Sequence, residues 1–311
     1  MTMSDTSFTG RLRSFADRDL FYSFRRSRTT VIAAVALALL FFGAIFAPVI
    51  APFDPFDIAH LNLLDSELPP AWMEGSNPAY ILGTDTQARD VLSSILYGLR
   101  ISLFVGFASV ILAAVLGVFL GLVGGFVGGI VDAVIMRVAD VLLSFPAILV
   151  ALLINGVMRG ILPANQHESA AILVLVLAIG LTNWVQYART VRGSTLVERQ
   201  REYVQAARTI GVGRLRIMLT HILPNVLGPV LVIATINLGM AVLTEATLSF
   251  LGVGMPATQP SLGTLIRVGN EYLFSGIWWV VIFPSATLAV LVLAVNLIGD
   301  WLRDALNPKL R

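Results

Sequence analysis

The sequence predicts an all-α, polytopic membrane protein with six transmembrane helices, and three observations lead there. Of 311 residues, 57% are hydrophobic and only 13% are charged, too few charges to coat a soluble particle of this size. The apolar residues fall in runs of roughly 18–23, and about 20 helical residues cross a ~30 Å hydrocarbon layer. The basic residues are concentrated in alternate connections, the bias that sets membrane topology.

Taken in order, residues 1–30 place Phe8, Leu12, Phe15, Leu20, Phe21 and Phe24 at near-helical spacing among Arg11, Arg13, Arg18, Arg25 and Arg26. Two readings stay open, a helix lying on the inner leaflet or a mobile basic tail. The first span is Val31–Ile50. It lacks a convincing small-residue cleavage site, so it reads as a span and not a signal peptide. Residues 51–98 form an outer loop, rich in Pro, Asp and Asn at its start. Near its end Thr84 or Asp85 is expected to cap a helix with Val91, Leu92, Ile95 and Leu96 on one face, leading into the second span. Further spans are expected at Ile101–Val123, Val141–Met158, Ala170–Tyr187, Leu223–Leu243 and Trp278–Ile298, within a transmembrane body of 99–300 that carries a 188–222 loop. A tail, 301–311, follows. Seventeen basic residues lie on the side of the termini and the 188–222 loop, against four on the other (Arg89, Arg100, Arg159 and Arg267). That split puts both termini and the loop in the cytoplasm. Trp278, Trp279 and Trp301 bracket the last span as interfacial aromatics do.

Composition also excludes functions. There is no cysteine, and His60, His167 and His221 show no ligand spacing. Lys309 is the single lysine and Leu310 follows it. A phosphate-binding loop needs a Lys followed by Ser or Thr, so this chain does not hydrolyse ATP by that device. No carboxylate pair or Ser/His/Asp set is gathered in one place, which argues against an enzyme.

A few residues in the spans invite a role. Gly117, Gly121, Gly125 and Gly129 recur every four residues, one helix face that lets another backbone approach closely; packing is the first reading and a pore hinge the second. Gly124 and Gly128 loosen the same turn, so the helix is expected to end before Gly129. Pro146 falls inside the third span and should kink it, either shaping a cavity or as a plain bend. Glu245 lies near the far end of the fifth span, either at the water boundary or on a translocation pathway. Asn155, Asn237 and Asn296 are uncharged pathway candidates that interhelical hydrogen bonding explains equally well, as it does Asn183.

The most organised polar stretch is Arg201–Asn225. Tyr203, Val204, Ala206, Ala207 and Ile210 give one helix a small apolar face, with Arg201, Glu202 and Arg208 around it. Gly211 and Gly213 supply a turn. Leu215, Ile217 and Met218 mark a second amphipathic helix, and Pro224 punctuates its passage into the bilayer. The plain reading is a helical hairpin on the membrane surface; the sharper one is a docking element for a cytosolic protein.

These residues resemble the cytoplasmic "EAA" loop of ABC-importer permeases, E-A-A-x3-G followed by I-L-P. Here it reads Gln205-Ala206-Ala207, Gly211 and Ile222-Leu223-Pro224, with Gln205 where glutamate is usual. Leu82-Gly83-Thr84-Asp85 with Arg89-Asp90-Val91-Leu92, Thr244–Gly254 and Gly299–Leu310 are similar to the C-type permease of the dipeptide/oligopeptide branch. Ala88 stands where glycine is usual and Leu262 where tryptophan is usual. The resemblance implies a type I ABC-importer transmembrane domain in a bacterial inner membrane, with 51–98 periplasmic. It implies a second, homologous permease, two cytosolic ATPases, and a periplasmic or lipid-anchored binding protein. ATP and Mg would be bound by the ATPases, with no cofactor in this chain. Membrane lipid surrounds such a subunit, and no nucleic-acid partner is expected. Contact with the ATPases would fall on Glu202, Val204, Gln205, Ala206, Ala207, Arg208, Gly211, Arg214 and Leu215. Arg208, Arg214 and Arg216 either pair with acidic groups there or simply obey the topology bias. Nickel-chelate and glutathione importers share this permease type. A secondary transporter or channel is the different-class alternative, and it would need intramembrane charges or a repeated half.

Overall fold

The computed structural model describes residues 24–57 and 61–306. The possible surface helix before Phe24 and the end of the C-terminal motif therefore lie outside the described residues. Among those described, the secondary structure is helical apart from one isolated bridge between Thr84 and Asp90. The helices are α1 (Arg28–Ile45), α2 (Ala47–Ile50), α3 (Val91–Val127), α4 (Gly129–Leu143), α5 (Ala147–Ile161), α6 (His167–Glu198), α7 (Glu202–Thr209), α8 (Arg214–Arg216), α9 (Leu223–Phe250), α10 (Leu262–Glu271) and α11 (Trp279–Leu306). Five helical stretches are long and apolar enough to cross a membrane, and α4 with α5 makes a sixth if that bent pair counts as one span.

The expected spans recur with different limits, because a helix continues past the bilayer wherever its backbone stays satisfied. The second span is part of the 37-residue α3. Its cap is Asp90, not Thr84 or Asp85, and the Asp90 carboxylate accepts from Ser93 N at 2.8 Å. Asp85 instead accepts from the backbone of Gln87 and Arg89 at 2.8 and 2.9 Å and pairs with the Arg89 guanidinium at 2.7 Å. α3 ends at Val127, and Gly128 closes it with φ +74. The fourth span extends to Glu198, and the fifth reaches Phe250.

One expectation fails outright. The third span is not one kinked helix: α4 and α5 meet at 96°. Pro146 has no N–H to continue α4 and disfavours helical angles at Phe145, so the chain leaves the helix and restarts at Ala147. The second amphipathic helix of the loop passes into the bilayer segment without a break. α8 runs through a π-helical turn, Ile217–Ile222, directly into α9. Pro224 lacks a donor and crowds the carbonyl four residues back, and widening the preceding turn relieves both.

α3 and α6 form the most extensive helix pair. Gly117, Gly121 and Gly125 make this possible. A Cβ on Gly117 would lie 2.5 Å from the Trp184 carbonyl oxygen, one on Gly121 would overlap the Ala188 carbonyl, and one on Gly125 would lie 2.8 Å from Thr195 Cβ. Gly129 has open space and no such neighbour. A main core gathers Leu99, Leu103, Val105, Leu175, Ile179, Val242, Leu248, Leu291 and Val295 from α3, α6, α9 and α11. A second cluster, around Tyr187, Val191, Ile217, Ile222 and Val226, lies toward the 202–216 end. Trp279 departs from the interfacial role: it is buried, and its indole Nε1 donates to the Thr84 carbonyl at 3.0 Å.

Candidate functional site: a helix tethered between two spans

α7 is held by its sequence neighbours in a specific way. Val204 and Ala207 turn inward and are buried in the second core cluster. Tyr203, Ala206 and Ile210 face outward, with Ile210 79% exposed. The single apolar face read from the sequence is therefore split, because positions three apart share a face while Ala206 and Ala207 point 100° apart. Leu215, beyond the turn, is 64% exposed. Tyr203, Ala206, Ile210 and Leu215 thus offer apolar contacts that nothing among the described residues covers.

The turn is closed by Gly211 at φ +82, a conformation that costs other residues a backbone penalty. Its amide donates to Arg208 O and that of Val212 to Ala207 O, both near 3 Å. Tyr203 fixes the other end. Its hydroxyl donates to Glu198 Oε2 at 2.6 Å, at the end of α6, and accepts from Asn225 Nδ2 at 3.0 Å, in the first turn of α9. Burial, then the Glu198 carboxylate, raises the Tyr203 pKa above 10, so the hydroxyl stays a donor. Gln205 donates from Nε2 to Arg199 O at 3.3 Å.

Beside α7 an open cavity of about 730 Å³ is lined by Phe126, Val127, Arg199, Gln200, Gln205, Arg208, Val212, Arg214 and Ile217. Three guanidinium groups and no carboxylate line it, so it favours acidic groups. The Arg208 guanidinium lies 5.6 Å from the centroid of the Phe126 ring, and Arg199 Nη1 donates to Gly125 O at 2.9 Å. Glu202 begins α7 on its exposed side, where a carboxylate suits the helix N-terminus.

The four pathway candidates are not brought into one cavity. Asn155 is buried and its Nδ2 donates to Val253 O. Asn237 is buried midway along α9. The Asn296 amide, on α11, faces the backbone of Gly239, and Asn296 borders a separate, shallow cavity of about 430 Å³. Glu245 is fully buried, so its carboxylate does not face water in this chain. Its carboxylate accepts from Ser102 Oγ and Ser249 Oγ, each at 2.7 Å. Sequence reasoning missed Ser102, Ser249 and Arg189. Arg189 Nη2 reaches Asp140 at 2.6 Å, and Arg192 pairs with Asp132, together tying α4 to α6. The signal available was their polarity within apolar helices.

A bundle of membrane-spanning helices that carries no phosphate-binding loop, yet holds a short helix braced between two of its spans, has the build of a permease subunit driven by another chain. A family model described as "Binding-protein-dependent transport system inner membrane component" matches residues 113–311, and one for the "N-terminal TM domain of oligopeptide transport permease C" matches 14–70. The chain belongs to this family of multi-pass inner membrane components, the non-catalytic permease subunits of ABC importers, whose ATPases are separate subunits. Membership implies ATPase partners and a second permease. The dipeptide transport system permease protein DppC of Haemophilus influenzae is 40% identical over 309 residues, covering 99% of this chain and all of that one. The Escherichia coli K12 protein of the same name is 42% identical over 294 residues, 94% of this chain and 93% of its own. The di/tripeptide transport system permease protein DppC of Pseudomonas aeruginosa is 36% identical over 294 residues, 94% and 92%. A solved inward-facing structure of the MetNI methionine ABC transporter shares the fold, at 22% identity and a TM-score of 0.50, covering 70% of this chain and 96% of that one.

Proposed function

We propose that this chain forms half of the translocation path of an importer for dipeptides or oligopeptides, and that Glu202–Leu215 receives the motion of the ATPases. The near-full-length relatives named as dipeptide permeases support the cargo. The observation that carries the coupling role is the bracing of α7 by Tyr203 to both Glu198 and Asn225. A partner that grips the outward residues Tyr203, Ala206, Ile210 and Leu215 moves α6 and α9 with α7, since the contacts on its inner side are buried. Arg208 and Arg214 then meet acidic groups of the ATPase, and Gly211 sets the turn that presents Leu215. In this reading the 202–216 end and both termini are cytoplasmic, 51–98 is periplasmic, and a binding protein delivers peptide to that outer face. The test is reconstitution of the four-subunit assembly in proteoliposomes with its binding protein. ATP-dependent uptake of a radiolabelled alanine dipeptide is expected, and it is lost when Val204–Leu215 is deleted. Uptake that survives the deletion overturns the coupling role, and uptake of some other solute in place of peptides overturns the cargo.

A further inference from the structure

The loop after α9 doubles back over the helix end and is pinned from several directions. Asn155 of α5 donates to Val253 O, Arg89 Nη1 donates to Ala257 O at 3.1 Å, and Thr264 Oγ1 donates to Met255 O at 3.0 Å. Contact is close enough that a Cβ on Gly254 would overlap Ser249 and one on Gly263 would overlap Ala246. Beneath these pins lies Glu245, 0% exposed, and among the described residues no arginine or lysine forms an ion pair with it.

The chemistry of its two partners is specific. A serine hydroxyl has one proton and two lone pairs. Ser102 and Ser249 each direct that proton to one Glu245 oxygen. Their lone pairs then accept from the loop: Leu262 N donates to Ser102 Oγ at 3.2 Å, and Met255 N donates to Ser249 Oγ at 3.1 Å. The carboxylate therefore orients two hydroxyls, and the hydroxyls hold the loop near its middle, at Met255, and at its end, at Leu262. Only a carboxylate accepts through both oxygens; an amide offers one acceptor and would force one serine to turn. A carboxyl in a buried, membrane-spanning helix is costly, which makes a purely space-filling role a poor account of it.

Glu245 also stands at a mechanical junction. It lies 22 residues beyond Leu223 in the same helix, about 33 Å at 1.5 Å per residue. α9 thus begins at the π-helical turn joined to α7 and ends at this network. We propose that Glu245 is the positioning residue that locks the far end of α9 to α3 and to the 251–261 loop, so that motion entering at α7 repositions that loop. The inference rests on the coupling role assigned above to α7.

The test uses the assembled complex with Glu245→Gln, Ser102→Ala and Ser249→Ala. Two quantities are read: amide hydrogen exchange in residues 251–262, and alanine dipeptide transported per ATP hydrolysed. Glu245→Gln is expected to speed exchange across the loop and to lower the transport-to-ATP ratio, each by about tenfold, the scale of one lost charge-assisted hydrogen bond. Ser249→Ala speeds exchange at Met255 and Ser102→Ala at Leu262, each with a smaller fall in the ratio. An unchanged ratio in Glu245→Gln overturns the proposal, even if exchange quickens, because loosening alone is then merely structural. Should Glu245→Gln fail to assemble, wild-type exchange and ratio in both serine variants overturn it equally. A wild-type complex that moves no dipeptide counts against the proposed cargo instead, and the exchange results still decide whether Glu245 holds the loop.

Discussion

The Tyr203 hydroxyl donates to Glu198 Oε2 at 2.6 Å, so the first turn of α7 is bonded to the last turn of α6 across a connection of only a few residues. The same oxygen accepts from Asn225 in α9. One side chain thereby joins the short helix to the two long helices that flank it, and removing its oxygen should loosen all three together.

Tyr203→Phe keeps the ring and deletes those bonds. Because Tyr203 is partly exposed, the loss should be about 1 kcal/mol locally. Amide exchange over residues 204–209 should quicken by roughly fivefold, the equivalent of that energy. The pH dependence follows from its raised pKa, caused first by burial and then by Glu198. A raised pKa means the neutral hydroxyl is favoured by folding, so its contribution is complete below the ordinary value of 10 and is lost as pH climbs through the folded-state value. Protection of α7 should stay level between about pH 7 and 9 and fall above about 10, and Tyr203→Phe should lack that step.

The α3–α6 contact predicts a contrast between two glycines. Gly121→Ala places a methyl onto the Ala188 backbone, which cannot yield without separating the helices, and should cost about 2–3 kcal/mol. Gly156 has open space around its Cβ position, so Gly156→Ala should be neutral or stabilise by up to about 1 kcal/mol. Thermal unfolding of the purified subunit in detergent separates the two.

Ala88 has φ +59 and is almost fully buried, closing the turn between Asp85 and Arg89. A side chain there costs about 1–2 kcal/mol. Ala88→Gly should therefore raise stability by about 1 kcal/mol after the greater freedom of glycine in the unfolded chain is allowed for. The same unfolding assay measures it.

Arg89 and Asp85 form a buried pair, with side chains 6% and 5% exposed. Arg89→Ala should destabilise by about 3 kcal/mol, because it leaves a carboxylate buried without its cation and frees the Ala257 carbonyl. Combining it with Asp85→Asn should cost less than the sum of the single changes, since both remove one interaction.

Much of this was legible in the sequence, and the exceptions share a cause. Apolar run length located the long helices, and the four-residue glycine spacing marked the face of α3 that meets α6. Gly128 and Gly211 ended helices where their freedom at positive φ predicts. What escaped were features fixed by distant residues. Glu245 looked like a boundary residue because a 20-residue count ends near it; its burial depends on Ser102, 143 residues away, and on a loop that folds back. Pro146 signalled a bend, but whether proline bends or breaks a helix depends on what packs beside it. Ala206 and Ala207 read as a pair until Ile217 and Ile222 took only one of them into the core.

The central claim is that an ATPase covers the outward face of α7, while Val204 and Ala207 on its inner face stay buried in the chain itself. The chain has no native cysteine, so single-cysteine variants test it cleanly. Maleimide labelling of Ala206→Cys should be rapid in the subunit alone and protected when the ATPases bind, whereas Ala207→Cys should label slowly in both. Ala206→Cys labelling that is unchanged by bound ATPases would contradict the account.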